Sequence, residues 1–488
     1  MNKFKLLPLI TTLLVLIVIF LYYFGGGFKM GAFYNADALY VPDLVRNINS
    51  DLTQLFHWNF SRAASFIDIL IFYIIGVFFD SHISIFVFSI IQISLTTLLV
   101  FIVYKSFFTF DQAAVFTSLS ILFLGIIVTQ QYHPFFVVMK TAHHYLEFLI
   151  CVFSLYCFNC FLDKGEKKNM LFVFAFFQSL SDQLYLIHFV LPCLIWSGMV
   201  WNNSESAMQK RILVFASQFI LVILVATFIH HFLNNNIVHP EYKIDQLFDP
   251  SIEKINVFLA GLLNKYPTIF ILSCLFYLGG TITYFKSDNK QIWLPFLLLS
   301  LTVTLTVLVL SDRNVLGRYM LPYLFAPILF SFCCIPQLAK KIPKKIGVLI
   351  IVLVSIGLVW SAPRKEVNGA FYPNHVNCID TSMEKLGVIN LVGDYWAARH
   401  YSFLSKKIQV DPYKMNFSKD LTVNNTQRFN QNYSGFIVNS IDGRGFKQEK
   451  IEKRFGMAEQ IIDCHNASVM IYPVNSIVLN SNNKLIIK

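Results

Sequence analysis

Two carboxylates lie six residues apart in the stretch YNADALYVPDLVRN, shortly after a long apolar run. They are Asp37 and Asp43, and a carboxylate next to a bilayer surface can act as a general base. Leu39, Leu44 and Ile48 can form one apolar stripe, which predicts a helix lying along the membrane surface. An Asp just before such a helix can also cap it. Proton transfer and helix capping are therefore the two interpretations of Asp37.

A second polar stretch, QQYHPFFVVMKTAHHYLEF, is rich in histidine. Its ionisable residues are His133, Lys140, His143, His144 and Glu147. Histidines can hydrogen-bond a phosphate or transfer a proton near neutral pH, whereas paired carboxylates would favour a divalent cation. His143 and Glu147 are spaced i,i+4, but zinc needs a further ligand that the stretch does not identify. The alternative is that these histidines anchor helix ends at the membrane interface.

Two arginines follow in the stretch SDRNVLGRYMLP, at the expected outer end of a late span. Cations on the outer side oppose the usual orientation rule, so Arg313 and Arg318 need another explanation. The planar guanidinium matches two phosphate oxygens at once. We therefore expect Arg318 first, and Arg313 second, to bind the phosphate of a lipid-linked donor. Snorkelling beside lipid head groups is the alternative.

A further polar pair stands where two apolar runs meet, in SLSDQLYLIHFVLP. An ionisable group at membrane depth is unfavourable, so Asp182 and His188 would tend to face a cavity. A turn with an exposed Asp182 is the interpretation that we favour.

The composition assigns these stretches to a multi-pass membrane protein. Of the 488 residues, 56% are hydrophobic and only 14% are charged, whereas soluble domains have about 25% charged residues. The net charge of +11 does not indicate a nucleic-acid partner, because the basic residues cluster in short loops between apolar runs. In such loops they set the orientation of the spans relative to the membrane lipids.

Hydropathy predicts about eleven transmembrane helices, at 6–24, 84–104, 113–130, 145–162, 169–186, 187–201, 212–231, 266–285, 291–310, 319–338 and 346–361. The apolar run 65–79 decides the topology. If it does not cross, every basic loop falls on the side of Lys3 and Lys5, as the positive-inside rule requires. We therefore predict a cytoplasmic N-terminus, a helix at 65–79 on or in the outer leaflet, and outward loops at 25–83 and 232–265.

The tail, residues 362–488, is expected to form a small extracytoplasmic α/β domain attached to the transmembrane domain, residues 1–361. Short apolar runs (LGVINLV, KKIQVDPY, SGFIVNS, SVMIYPV) alternate with a helical one, FKQEKIEKRFG. Cys378 and Cys464 are the two cysteines of the tail, and in an oxidising compartment they predict a disulfide; two buried free thiols are the alternative. Tyr395 and Trp396 can stack on sugar faces, but core packing is the interpretation that we favour.

This layout resembles the GT-C superfamily of membrane glycosyltransferases, which includes protein mannosyltransferases, oligosaccharyltransferases and the aminoarabinose transferases of lipid A. The shared features are an acidic residue soon after the first span, a juxtamembrane helix after it, a large loop after the seventh span and an outward C-terminal domain. The stretch GRYMLP, which contains Arg318, looks like the Arg-Tyr-x-x-Pro opening of a late span in many members. The resemblance covers the membrane core, roughly residues 1–361, in layout, and only short stretches match in sequence.

The resemblance implies that Asp37 contacts the acceptor as base or aligner, with Asp43 as a second catalytic candidate. Tyr40 in the same stretch is a candidate for substrate binding, together with Arg318, Arg313, Lys140, His143 and His144. Many members have paired acidic residues, whereas Ala36 and Ala38 flank Asp37 here. Metal use, including a divalent cation as cofactor, therefore stays open.

The expected activity is transfer of a sugar from a polyprenyl-phosphate-linked donor to a lipid, glycan or protein acceptor on the outer face of a bacterial inner membrane. A transporter or flippase for lipid-linked glycans is the alternative from another class, and it would need polar groups deep in several spans. An O-antigen polymerase or ligase and a non-enzymatic scaffold are further alternatives.

Overall fold

The computed structural model describes residues 4–29, 33–61, 63–131, 134–202, 204–237, 252–286, 292–310, 317–363, 372–438, 445–465, 467–480 and 484–487. Within these ranges the protein is a helix bundle that carries a small β-structure near its C-terminus. The helices before the tail are α1 (Leu7–Phe24), α2 (Tyr40–Ser50), α3 (Phe66–Gly76), α4 (Ser81–Phe107), α5 (Phe110–Thr129), α6 (Tyr145–Lys164), α7 (Lys168–Ser181), α8 (Leu191–Asn202), α9 (Ser206–Ile237), α10 (Ile252–Lys265), α11 (Pro267–Lys286), α12 (Trp293–Leu310), α13 (Leu321–Leu329), α14 (Pro336–Lys341) and α15 (Lys344–Trp360). The tail adds α16 (Asn374–Leu386), α17 (Tyr395–Leu404) and α18 (Gln448–Phe455).

Seven of the described helices are long and apolar enough to cross a membrane, which makes this a multi-pass membrane protein. They are α1, α4, α5, α6, α9, α11 and α12. The predicted spans at 169–186, 187–201 and 346–361 appear as shorter elements: α7, then a π-helical turn (Leu186–Val190) that continues into α8, and α15. The number of eleven spans therefore stays a prediction.

The predicted span 319–338 is interrupted. A 3-10 helix (Gly317–Met320) leads into α13, and α14 begins only after a second 3-10 turn. Pro327 lies inside α13 and cannot donate the hydrogen bond that the carbonyl of Tyr323 would receive. The phenol of Tyr277 in α11 donates to that carbonyl instead, at 3.2 Å. A neighbouring helix thus satisfies the group that the proline leaves open.

Helix α3 runs along one end of the bundle, the end where α1 finishes and α4 begins, here called the tail-facing end. Its 11 residues extend over about 16 Å, only about half the thickness of a hydrocarbon core. The N–H of Ser65, just before α3, donates to the carbonyl of Ser181 at 3.0 Å, and the amide of Asn49 donates to the carbonyl of Gly76 at 3.2 Å. Both ends of α3 are therefore tied to neighbouring segments at this end of the bundle. The placement of 65–79 in the outer leaflet stays a prediction.

Helix α10 occupies the end of the predicted outward loop 232–265. Helix α9 already extends into the beginning of this loop, and the stretch 238–251 between the two helices lies outside the described residues. Exposed apolar side chains such as Val257 and Leu263 lie between the charged residues of α10, which stand near its two ends.

The described part of the tail contains two sheets. Their strands are β1 (Asn390–Gly393), β2 (Gln409–Pro412), β3 (Asn432–Tyr433), β4 (Gly435–Val438), β5 (Gln460–Cys464), β6 (Ala467–Ile471), β7 (Ile477–Leu479) and β8 (Leu485–Ile487). The first sheet has the order β2-β1-β4-β6-β5, with β1 parallel to β2 and β4, and β6 antiparallel to β4 and β5. Helix α17 makes the crossover between the parallel strands β1 and β2, as such pairs require. The four apolar runs predicted to be strands contribute β1, β2, β4 and β6, while the antiparallel sheet β3-β7-β8 was not predicted.

A disulfide joins Cys378 in α16 to Cys464 at the end of β5, with their Cα atoms 5.6 Å apart. The predicted pair is therefore present, and the alternative of two buried free thiols is wrong. The other cysteines are free and lie in the helix bundle. The disulfide fastens the helical start of the tail to the edge of its main sheet.

Removal of this disulfide should destabilise the tail. The linked residues are 86 positions apart, so replacing both cysteines by Ser gives the unfolded tail more conformational entropy and should reduce its free energy of unfolding by about 2–4 kcal/mol. Thermal unfolding of the purified full-length protein measures the change. The control is Cys274→Ser, at an exposed free thiol of α11, which should leave the transition in place. A double variant as stable as the unmodified protein would contradict this expectation.

Candidate functional site

The loop after α1, residues 33–61 and here called the first loop, is held by helix α17 of the tail. The phenol of Tyr395 donates to Oδ1 of Asp37 at 3.1 Å, and Nη1 of Arg399 donates to the carbonyl of Ala36 at 2.9 Å. Tyr395 and Arg399 are four residues apart on one helix face, so they reach adjacent residues of the first loop. Asp37 is thus held through its own carboxylate, and the residue before it is held through its carbonyl, while Asp37 stays partly exposed.

His400 makes a third contact between α17 and the first loop. Its Nδ1 lies 2.7 Å from the carbonyl oxygen of Tyr34, which can only accept, so Nδ1 carries the proton. Nε2 of His400 then accepts from Nε2 of His375, 3.1 Å away. Burial, opposed by the hydrogen bond to Tyr34 and assisted by nearby His375, lowers the pKa of His400 to about 4. The ring is therefore neutral near pH 7 and serves to position the loop.

Asp37 does not cap α2. The residue before the helix is Leu39, which makes no side-chain cap, and Oδ1 of Asn35 accepts from the N–H of Ala38 at 2.9 Å. The capping interpretation of Asp37 is therefore wrong. Its carboxylate contacts Tyr395 of the tail, a contact that leaves it able to receive a proton from a further partner.

On its other side the first loop contacts the histidine-rich loop between α5 and α6. Oγ1 of Thr141 donates to the carbonyl of Ala38 at 3.3 Å, and the N–H of Ala142 donates to Oδ2 of Asp68 in α3 at 3.3 Å. Ala142 and His144 have φ angles of 54° and 63°, a left-handed conformation that costs about 1–2 kcal/mol for each residue with a β-carbon. The surrounding contacts hold this strained turn, and such turns occur preferentially at functional sites.

Asp68, in the first turn of α3, is a buried carboxyl. Burial raises the pKa of Asp68 to about 7, against the hydrogen bond from Ala142 and the nearby His144, while the carboxylate of Asp182 adds to the rise. A carboxyl with this pKa gains and loses a proton near neutral pH. Asp68 is therefore a further group at the tail-facing end that can bind and release a proton near neutral pH.

Two histidine–carboxylate pairs lie beside Asp68. Nδ1 of His144 contacts Oδ2 of Asp182, and Nδ1 of His188 lies 3.0 Å from Oε1 of Glu147. Asp182 is at the turn that ends α7, as expected, but it is buried rather than exposed, with 4% of its surface accessible. The pairing with histidine compensates the burial of both carboxylates.

The 3-10 helix Gly317–Met320, which carries Arg318, lies against these pairs. Nε2 of His188 donates to the carbonyl of Tyr319 at 3.0 Å, and the rings of Tyr319 and His144 are 6.2 Å apart between centroids. The backbone of Arg318 is therefore at the tail-facing end, although its side chain lies outside what the structure describes. The structure thus brings the histidine-rich loop and the GRYM turn together.

No protein-family model matches this chain, and no curated protein matches it. The assignment of a function therefore depends on the residues of the site themselves. Among the described residues, no group of three or more His, Cys, Asp and Glu side chains is arranged to hold a metal ion.

Asp43, the second catalytic candidate, is an anchor between the first loop and the tail. Its carboxylate, 1% exposed, lies 2.8 Å from Arg46, 3.2 Å from Arg428 and 3.6 Å from Arg399. Burial raises the pKa of Asp43, but Arg428, Arg46 and Arg399 outweigh burial and hold the pKa below its ordinary value. A carboxylate stabilised in this way is a weak base. The geometry therefore gives Asp43 a structural role in place of the predicted catalytic one.

Tyr40 is not placed to bind a substrate. Its phenol donates to the carbonyl of Ala64 at 3.3 Å, and its ring packs 6.2 Å from that of Trp58, between centroids. Burial raises the pKa of Tyr40 well above its ordinary value. The residue belongs to the core beneath the first loop, which corrects its predicted role.

His143 and Lys140 remain close to the site. Nδ1 of His143, which is half-buried, lies 2.7 Å from the carbonyl of Thr141, and Nζ of Lys140 lies 5.6 Å from the ring centroid of Phe136. Both residues belong to the loop between α5 and α6. This loop contacts the first loop beside Asp37, through the hydrogen bond from Thr141 to Ala38. Arg313 lies outside the described residues.

Arg399 and His400 are the positioning residues that sequence reasoning missed, and Tyr395 was considered only for stacking or packing. One signal was present in the sequence. Tyr395 and Arg399 have i,i+4 spacing on one helix, and an arginine that a small domain buries requires partners. The partner of Tyr395 could not be identified because it lies 358 residues away.

Proposed function

We propose that the protein is an integral membrane glycosyltransferase that moves a sugar from a polyprenyl-phosphate-type donor to a lipid, glycan or protein acceptor. The observation that carries the proposal is the placement of Asp37. Tyr395 holds this partly exposed carboxylate, and Arg399 holds the carbonyl of the preceding Ala36, at the end of the bundle where the backbone of Arg318 lies. A base and a phosphate-binding cation at the same end are the groups that such a transfer needs.

In the proposed reaction Asp37 accepts the proton of the acceptor hydroxyl or amine as that group attacks C1 of the sugar. The bond between C1 and the phosphate oxygen breaks, and its electron pair leaves with the polyprenyl phosphate. Arg318, assisted by His143 or His144, neutralises the charge that remains on the phosphate. The hydrogen bond from Tyr395 keeps the carboxylate of Asp37 in one orientation.

The proposal includes an orientation: eleven spans in a bacterial inner membrane, a cytoplasmic N-terminus and an extracytoplasmic tail. The distribution of basic loops supports it. The disulfide between Cys378 and Cys464 supports it too, because disulfides persist in oxidising compartments.

Cysteine labelling in intact spheroplasts checks this orientation. Met457 is 85% exposed in the tail, so Met457→Cys should react with a membrane-impermeant maleimide without lysis. The matched variant Glu166→Cys, in the exposed loop between α6 and α7, should react only after the membrane is opened. The reverse pattern would place the tail in the cytoplasm and remove the proposed donor from reach.

The full-length protein in proteoliposomes, with a labelled polyprenyl-phosphate sugar, separates the possible functions. Transfer of the label to an added acceptor supports the transferase. Movement of the intact lipid-linked sugar between leaflets without transfer is the result expected of a carrier. A product of many repeated units indicates a polymerase. If neither transfer nor movement is observed, the non-enzymatic scaffold is the function that remains.

Tyr395→Phe should slow transfer about tenfold, because the lost hydrogen bond to a charged group is worth about 1.5–3 kcal/mol and only part of it acts in the transition state. The measurement is kcat in the proteoliposome assay. The matched control is Tyr472→Phe, whose phenol donates to the carbonyl of Gly456 at 2.8 Å elsewhere in the tail. Equal rates in the two variants would show that Tyr395 does not position Asp37.

A further inference from the structure

A polar cleft separates α2 and the end of the first loop from the tail, on the side of Arg399 away from Asp37. Its volume is about 490 Å³, which lies within the range of small-molecule sites. Arg46 and Gln54 contribute from the first loop, and Arg428 contributes from the tail. We call it the arginine–amide cleft.

The ion-paired cluster beside the cleft does not balance in charge, and the exposed carboxylate of Asp51 lies next to it, 3.4 Å from Nε2 of Gln54. Three guanidinium groups, those of Arg46, Arg399 and Arg428, face two carboxylates, Asp43 and Asp411. One positive charge is therefore in surplus within this cluster. The side chain of Arg46 is 42% exposed, so it can receive an anion from solution while still contacting Asp43.

The remaining wall of the cleft carries amide and hydroxyl side chains that can hydrogen-bond the hydroxyl groups of a sugar. Among the described residues, the side-chain amide of Gln427 and the hydroxyl of Ser402 make no hydrogen bond, and both line the cleft. Asn425, beside them, is held by Gln54 at 2.7 Å. Amide and hydroxyl groups donate and accept, which is the pattern that a sugar hydroxyl requires. Ile408 is the one aliphatic side chain that lines this cleft in the described chain, so an acyl chain or a flat aromatic ring would lack a surface there.

We propose that the arginine–amide cleft binds an anionic saccharide, with its carboxylate on Arg46 and its hydroxyls on the side chains of Gln427 and Ser402. A bidentate pair with guanidinium suits a carboxylate better than a neutral group. The binding itself needs no transferase activity. Its role, to hold an acidic sugar unit of the acceptor glycan away from the reacting unit, rests on the proposed function.

The test is a binding measurement on the full-length protein in nanodiscs, with α-1,4-linked trigalacturonate, its neutral counterpart α-1,4-linked galactotriose, and inorganic phosphate as probes. We expect trigalacturonate to bind at least about tenfold more tightly than either other probe, which is the effect of one charge-assisted pair. Arg46→Gln should remove this preference. Gln427→Ala should weaken trigalacturonate about threefold to tenfold without affecting the fold, because that amide is exposed and unbonded among the described residues.

The control variant is Lys407→Gln, which removes an exposed cation that pairs with Glu384 outside the cleft. It should leave binding unchanged, and a loss equal to that of Arg46→Gln would mean general charge attraction and overturn the proposal. Equal binding of galactotriose would overturn the anionic part, and equal binding of phosphate would overturn the saccharide part. Binding is also measured in Asp37→Asn. Binding that persists there while the unmodified protein shows no transfer supports the cleft and rejects the proposed function.

Discussion

Asp37→Asn should reduce sugar transfer by at least about 100-fold, since a positioned general base contributes about 10²–10⁴ in rate. The amide keeps the size of the side chain and can still receive the hydrogen bond from Tyr395, so the first loop should keep its position. What it cannot do is take the acceptor's proton. The expected signature in the proteoliposome assay is a loss of kcat with little change in the thermal unfolding transition.

The matched control is Asp51→Asn in the same loop. Asp51 is exposed, and its Oδ1 receives the N–H of Thr53 at 2.9 Å at the start of a 3-10 helix, a role that Asn fills equally well. This variant should transfer sugar at the unmodified rate. Full activity of Asp37→Asn would remove Asp37 from the chemistry, and equal losses in both variants would mean that the loop is sensitive to charge in general.

Asp43→Asn should have the opposite signature: a stability loss of about 3–5 kcal/mol, which is typical when one partner of a buried ion pair is removed. The fully buried guanidinium of Arg399 would then face a neutral amide, and Arg428 would keep the carboxylate of Asp411 and the carbonyl of Val410. We expect the tail to separate more readily from the first loop. Thermal unfolding and limited proteolysis of the tail, with Asp51→Asn as the exposed control, measure this effect.

The effect of Asp43→Asn should depend on pH with a defined sign. The pKa of Asp43 is lower in the folded protein than in the unfolded chain, so its contribution to stability is fully present above the unfolded value of about 3.9. That contribution disappears as the pH falls through the lower, folded value. The stability difference between Asp43→Asn and the unmodified protein should therefore be constant near neutral pH and shrink only in strong acid. A difference that grew on acidification would contradict the ion-pair interpretation.

Asp37 could be selected as a candidate from the sequence because the signal is local: an acidic residue soon after a long apolar helix. Its partners could not, because Tyr395 and Arg399 are 358 and 363 residues away from the positions they contact. Asp43 was misjudged for the same reason. Seen alone it is a carboxylate near a membrane, and only the fold brings Arg428 to it.

The fold shows the same division between local and distant information. Apolar runs of sufficient length identified most helices of the bundle and the four strands β1, β2, β4 and β6. Strands β3, β7 and β8 have only two or three residues, too few to show a period of two. The interruption of the helix near Pro327 was not predicted, because hydropathy is averaged over many residues. Such an average is not affected by the backbone N–H that a proline lacks.

The contacts between the first loop and the tail impose an order on biogenesis. Asp43 and Arg428 are 385 residues apart, so a ribosome working at about 5–20 residues per second needs about 20–80 s to supply the second after the first. During that interval Asp43 has neither Arg399 nor Arg428 beside it, and the turn at Asp37 has no tail helix to hold it. The first loop therefore reaches its described arrangement only after the last segment of the chain has been synthesised and has docked. Synthesis that stops early would leave a membrane-inserted product without these contacts.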